Sequence, residues 1–331
     1  MLEQPVTGPA VWKGEDLART DEWITRFSED DLAAFDRVLA EIGDRPRATL
    51  RREDFDWPEV AAKMAAVKAE LDEGRGFSLL RGLPLHSRYS LDQAKTLYWG
   101  LGQELGEIAS QNGKGDLIGD VWDARAKEFQ WRQSTNASAI DFHTDSTDIV
   151  SLLCVRQAMH GGDSLLASTG HIYNVVLEEH PEYLPILYKT FCWDHMGEEQ
   201  PGGPGWYPRQ LFSYVDGKLS GTTVTTRIIN ATRLPDVPRL TAEEMSCFLY
   251  LRALPWRAGI ALPMMLEEGD IQVVHNYVVV HSRGGFIDHP TDDTRRRHLL
   301  RLWISRPHDG RPVSPEIADR RFGVRPLVAA G

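Results

Sequence analysis

Apolar positions recur at helical spacing through the first third of the chain and at strand-like spacing through most of the rest. Ser28-Glu29-Asp30-Asp31 supplies a helix N-cap with an acid three residues on. Behind it Leu32, Phe35, Val38, Leu39 and Ile42 form an apolar stripe that Gly43 ends. A second helix is predicted from Trp57-Pro58, with Pro58 in its first turn and Val60, Met64, Val67 and Leu71 as its buried face up to Gly74. GFSLLRGLPL (76–85) reads as a short buried strand, and a third helix is expected from Ser90 to Leu105. After about residue 115 short β-type runs take over: IVSLLCVR (149–156), SLLAS (164–168), QLFSYV (210–215), IQVV (271–274), VVVHS (278–282) and HLLRLWIS (298–305). Asp216-Gly217 between two of these runs is a hairpin signal. The stretch 171–209 reads as a helix followed by a long loop. Many short strands without regularly alternating helices argue for a sandwich or jelly roll over a doubly wound sheet.

With no internal repeat or low-complexity linker, the expectation is one mainly β domain over 1–331: helices at about 15–110, a β core at about 115–306, and an insert at about 171–265. The formal net charge of -11 argues against a nucleic-acid partner held by phosphate neutralisation. Cys154, Cys192 and Cys247 are too few and scattered for a disulfide framework or a zinc site. The start MLEQPVTGPAVW lacks the basic and apolar parts of a secretory signal. No apolar run reaches the roughly 18–20 residues of a bilayer span. A soluble, cytoplasmic protein without a membrane partner is expected, with self-association into a homo-oligomer left open.

The chemistry concentrates in three segments. In IDFHTDSTD (140–148) His143 and Asp145 are two apart, so on a strand both side chains would leave one face. An imidazole and a carboxylate side by side are two members of the 2-His-1-carboxylate triad, which leaves metal positions open and favours Fe(II). Among 11 histidines one accidental match is unsurprising, so the pair alone is weak evidence. GDIQVVHNYVVVHSRGGF (269–286) offers His275 and His281 as a third ligand; they are six apart, and alternation does not choose between them. In TRRRHLLRLWIS (294–305) alternation puts Arg297, Leu299, Arg301 and Trp303 on one face. Two arginines on one face of an apolar strand are costly to bury unless they meet anions, and a guanidinium is the natural partner of a carboxylate. Arg295 and Arg296 read as solvated.

These segments, together with GFSLLRGLPL and HGGDSLLAS, resemble the taurine dioxygenase (TauD/TfdA-like, clavaminate synthase-like) family from about residue 75 to 306. The resemblance implies a double-stranded β-helix core and an Fe(II)- and 2-oxoglutarate-dependent dioxygenase. Such an enzyme uses O2 to oxidise an unactivated C–H bond of a small molecule, by hydroxylation, desaturation or ring closure, and releases succinate and CO2. It implies His143, Asp145 and His281 as the metal ligands, choosing His281 over His275. It places Arg297 on the 2-oxoglutarate carboxylate with Ser164 as the assisting hydroxyl, and Arg301 toward an anionic primary substrate, with the roles of the two arginines exchangeable. Asn276 and Arg301 are counted among the cofactor-contacting positions. Gln111, Asn112, Trp122, Phe129 and Trp131 are candidates to face the substrate, and Trp206-Tyr207 to form a lid or a loop anchor. Ala139 stands where taurine-type members carry asparagine, which argues against taurine itself, and Asp145 argues against a halogenase. Two further readings stay open: a jelly-roll dioxygenase or isomerase that does not use 2-oxoglutarate, and a non-catalytic binding module of the same fold.

Overall fold

In the computed structural model, which describes residues 1–122, 138–197, 199, 202–223, 225–318 and 322–325, the two expected sheets face one another. The larger orders its strands as Ile24–Arg26, Phe77–Arg81, Ile271–His275, Ile149–Arg156, His298–Ser305 and Glu107–Ala109, with Ile118–Trp122 also paired to His298–Ser305. The smaller runs Leu262–Met264, Ser164–Ser168, Val279–Arg283, Ile140–His143. Following the chain, 140–143 lies in the small sheet, 149–156 in the large, 164–168 and 262–264 in the small, 271–275 in the large, 279–283 in the small and 298–305 in the large. That alternation is the winding of a jelly roll.

Alternation along each strand decides what each face buries. Leu299 and Trp303 join Phe77, Val150 and Val274 against Leu166, Leu262 and Val279 of the small sheet, forming the layer between the sheets. Leu300, Leu302 and Ile304 point the other way, into the helices that carry Phe35, Val60, Met64 and Leu97. A third layer packs Phe142, Ala167 and Val280 against Tyr173, Leu187 and Phe248 of the segment that leaves the small sheet after Ser168 and returns at Leu262.

The predicted helices form as Glu29–Ile42, Pro58–Glu73 and Leu91–Leu105. Ser28 and Asp31, and likewise Ser90 and Gln93, close reciprocal capping boxes. Asp216 and Gly217, both at positive φ (49° and 76°), turn the Phe212–Val215/Lys218–Gly221 hairpin. The stretch after the 169–179 helix is not the expected loop. It contains a second hairpin, Thr190–Asp194 with Trp206–Gln210, whose apolar residues bury against the insert's own helices. Trp206 and Tyr207 belong to that hairpin and not to a free lid: Trp206 Nε1 donates to Asp236 at 2.7 Å and Tyr207 is buried. Thr241 and Glu244 cap a further helix, Ala242–Ala253, that the apolar pattern does not announce. Among the described residues no helix is long and apolar enough to cross a membrane.

Candidate metal and co-substrate site

His143 ends the Ile140–His143 strand and is paired directly across from His281 on Val279–Arg283, with the ring centroids 4.4 Å apart. Asp145 lies past the strand end, in the turn toward Ile149–Arg156, so the common-face argument for His143 and Asp145 is corrected. The turn is held by Asn276. Its Oδ1 accepts the Asp145 backbone N–H (3.1 Å), and its Nδ2 donates to the Thr147 carbonyl (3.0 Å). One donor atom from each of His143, Asp145 and His281 lies within 4.8 Å of the others. His275 ends Ile271–His275 in the other sheet, and the Asn276–Val278 turn separates it from His281, so counting residues as though on one strand did not apply.

The electrostatics suit a cation. His143 Nδ1 lies 2.9 Å from the Asp141 carbonyl, an acceptor, so Nδ1 is the donor there and Nε2 is the nitrogen left for a metal. Burial, reinforced by His143, pushes the His281 imidazole down to about 3 against the opposite pull of Asp145, which leaves it neutral at ordinary pH. Burial would raise the Asp145 carboxyl, but Arg301, the two histidines and the Trp303 indole outweigh it and hold the group at about 2. Two imidazoles and one carboxylate are the donor set that fits Fe(II).

The sign of the resulting pH dependence is fixed. The unfolded chain protonates His281 below its ordinary value of 6.5, whereas the folded chain resists down to about 3. The metal-free protein therefore loses stability as pH falls through that window. The Asp145 contribution, complete above 3.8, is lost in turn as pH falls toward about 2. From pH 6.5 down to about 5, His281 alone accounts for roughly 2 kcal/mol. Urea unfolding of the metal-free protein at the two pH values should show His281→Gln losing that much less than the parent; equal losses would refute the assignment.

A cavity opens on this cluster, and Ser164, Arg283, Arg297 and Arg301 line it together with His143, Asp145 and His281. Arg297 is 6% exposed, and its Nη1 is buried without a hydrogen-bond partner among the described residues. Burial, with Arg283 as a like-charged neighbour, lowers its guanidinium to about 10, still charged at neutral pH. Both arginines lie over the Phe286 ring, at 4.7 and 5.3 Å. Asp288 accepts the Arg297 backbone N–H at 2.7 Å. Ser164 is buried, with Oγ against the Gln272 amide (2.8 Å to Nε2). Gly162 (φ 83°) leaves room for Arg297: a Cβ there would sit 3.1 Å from its Nε. Gly162→Ala is thus strained in backbone and contact, about 1–3 kcal/mol. We expect 2-oxoglutarate affinity to fall about tenfold with metal affinity unchanged, a split that paired titrations would measure.

The remaining candidates lie elsewhere. Trp122 is 52% exposed, its ring 6.3 Å from His298; strand alternation sends Val121 into the cavity and Trp122 outward. Gln111 is buried, with its amide turned to protein groups. Asn276 supports the Asp145 turn and does not line the cavity. Phe129 and Trp131 lie outside the described residues. Arg283 was missed, although its place two residues after His281 puts it on the same strand face.

The sequence profile of the taurine catabolism dioxygenase TauD, TfdA family matches residues 41–303. The chain belongs to this family. As a TauD-type protein it is a 2-oxoglutarate-dependent non-haem iron dioxygenase, which decides against both the jelly-roll enzyme without 2-oxoglutarate and the non-catalytic module. It is 30% identical to the FR-33289 synthase of Streptomyces rubellomurinus over 98% of this chain and 97% of that protein. It is also 30% identical to the taurine hydroxylase-like protein SAT17 of Stachybotrys chartarum, over 88% and 77%. The fold is shared with an asparagine oxygenase solved with Fe(II), 3-hydroxyasparagine and succinate (TM-score 0.65, 18% identity, 86% of this chain and 94% of that one). It is shared too with the non-haem iron oxygenase OrfP solved with Fe and alpha-ketoglutaric acid (TM-score 0.59, 14% identity, 85% and 93%).

Proposed function

We propose that this dioxygenase hydroxylates a C–H bond of a small anionic molecule, with His143, Asp145 and His281 as iron ligands. Arg297 and Ser164 hold the far carboxylate of 2-oxoglutarate, and Arg301 faces the substrate anion. The observation that carries the reading is Arg297: a buried guanidinium with an unpartnered nitrogen opens into the same cavity as a 2-His-1-carboxylate cluster. A buried cation without a carboxylate is unfavourable until an anion arrives. The same contrast supports giving 2-oxoglutarate to Arg297 and not to Arg301, whose Nε already donates to Gln111 at 2.8 Å. Fe(II) held there with 2-oxoglutarate would activate O2, one oxygen atom going into the substrate C–H bond and the other into succinate as CO2 leaves.

The chain's own residues supply the rest. Arg297 neutralises and orients the co-substrate, while Val150, Leu152 and Ile140 make an apolar wall that keeps water from the reacting carbon. Hydroxylation is supported by the 3-hydroxyasparagine bound to the asparagine oxygenase of the same fold, and an anionic substrate by the positive charge of Arg301. A panel of small carboxylates, sulfonates and phosphonates, scored by succinate release with Fe(II), ascorbate and 2-oxoglutarate, tests the reading. Strong stimulation by one anionic class is expected; stimulation only by neutral or cationic compounds would overturn the substrate class. Arg301→Ala should weaken that stimulation and leave substrate-free 2-oxoglutarate turnover in place; loss of co-substrate binding instead would exchange its role with Arg297.

A further inference from the structure

Gln111 was expected at the substrate, yet it is 1% exposed and fully engaged by the protein. It sits in the turn between Glu107–Ala109 and Ile118–Trp122, both of which pair with the His298–Ser305 strand. Its Nε2 donates to the carbonyls of Leu117 (2.9 Å) and Arg301 (2.8 Å), and its Oε1 accepts from Arg301 Nε at 2.8 Å. One side chain thus grips Arg301 at both its backbone and its guanidinium. Gly119 makes room for this grip, since a Cβ there would lie 2.6 Å from Gln111 Oε1.

Beyond the grip, Arg301 Nη1 stops 3.5 Å from Asp145 Oδ2, and the guanidinium lies 4.9 Å over the Trp303 ring. The Trp303 indole donates to the same Oδ2 at 2.9 Å. An unrestrained arginine beside a buried carboxylate closes to about 2.7–2.9 Å and often binds it through both oxygens. Here Nη1 keeps only a long 3.5 Å contact with Oδ2, while Nε makes the shorter bond, 2.8 Å, to Gln111. A backbone staple braces the arrangement: Val324 N–H donates to the Ser110 carbonyl (2.9 Å) and Gly323 N–H to the Ser146 carbonyl (3.0 Å), joining the Gln111 turn to the Asp145 turn.

We infer that Gln111 is a positioning residue that holds Arg301 off Asp145, keeping the carboxylate available to the metal. The inference rests on the assignment of Asp145 as a metal ligand. Without Gln111, Arg301 would capture the carboxylate in a bidentate pair and compete with the cation.

The test is Co(II) titration of the metal-free, full-length protein. Gln111→Met, which keeps the volume but lacks the amide, should weaken Co(II) binding about tenfold, the lower end for loss of an outer-sphere partner. Arg301→Met removes the competitor, so Gln111→Met/Arg301→Met should bind Co(II) as Arg301→Met alone does. A merely structural role for Gln111 predicts no such suppression, and additive losses in the double variant would overturn the inference, as would parental affinity in Gln111→Met. If circular dichroism shows Gln111→Met misfolded, Arg301→Met alone is the second arm: with the competing cation gone it should bind Co(II) at least as tightly as the parent, and tenfold weaker binding in the folded variant would overturn the inference. His281→Ala is run in parallel: if it binds Co(II) like the parent, the ligand assignment has failed, a result distinct from failure of the Gln111 arms.

Discussion

His281→Ala is expected to abolish Fe(II) binding and 2-oxoglutarate turnover together. His281 faces His143 across the small sheet and sits 4.0 Å from Asp145, so its loss leaves two of the three proposed ligands. Four-ligand structural metal sites bind with about 10–16 kcal/mol, roughly 2.5–4 kcal/mol per ligand, so a lost ligand weakens binding about 60- to 1,000-fold. The fold should survive, because the imidazole is neutral and its Nδ1 makes no hydrogen bond among the described residues. Metal analysis after desalting, beside a circular dichroism spectrum, checks both halves. Metal retained at parental stoichiometry would place the iron elsewhere.

Arg297→Leu is expected to move two quantities in opposite directions. Removing one partner of a buried charge-assisted contact costs about 2–5 kcal/mol, so 2-oxoglutarate should bind some 30- to 4,000-fold more weakly. The unliganded protein should be as stable as the parent or more so, because an apolar side chain replaces a buried cation that has no described carboxylate within ion-pair distance. Lysine should restore the charge without the planar fork and recover only part of the affinity. Thermal unfolding without ligand, set beside a co-substrate titration, separates this from general damage: a variant that is both less stable and parental in affinity contradicts the clamp.

Local chemistry made the helices and the main strands legible. Ser28 and Ser90 announce their caps, and Val60, Met64, Val67 and Leu71 all reach the core. The alternation of Arg297, Leu299, Arg301 and Trp303 against Leu300 and Leu302 matches the two faces of their strand. Face counting failed where the chain stops being extended, at Asp145 beyond its strand and across Asn276–Val278 between two sheets. The Thr190–Asp194 hairpin was hidden because its second strand, Trp206–Gln210, follows a Gly/Pro-rich stretch, carries Pro208 and buries a charged residue, Arg209, beside Tyr207. Trp122 drew attention as an aromatic, yet a single residue of register decided that Val121 faces the cavity. Gln111 depends on a partner 190 residues away, which spacing along the chain does not reveal.

The central claim is that one cavity holds both iron and 2-oxoglutarate on residues of this chain. Anaerobic titration of the Fe(II) protein with 2-oxoglutarate, followed through the visible charge-transfer band of the chelate, addresses it most directly. The band should grow to saturation in the parent, require far more 2-oxoglutarate in Arg297→Leu, and be absent in His281→Ala. No band in the parent, or the same band in His281→Ala, would contradict it.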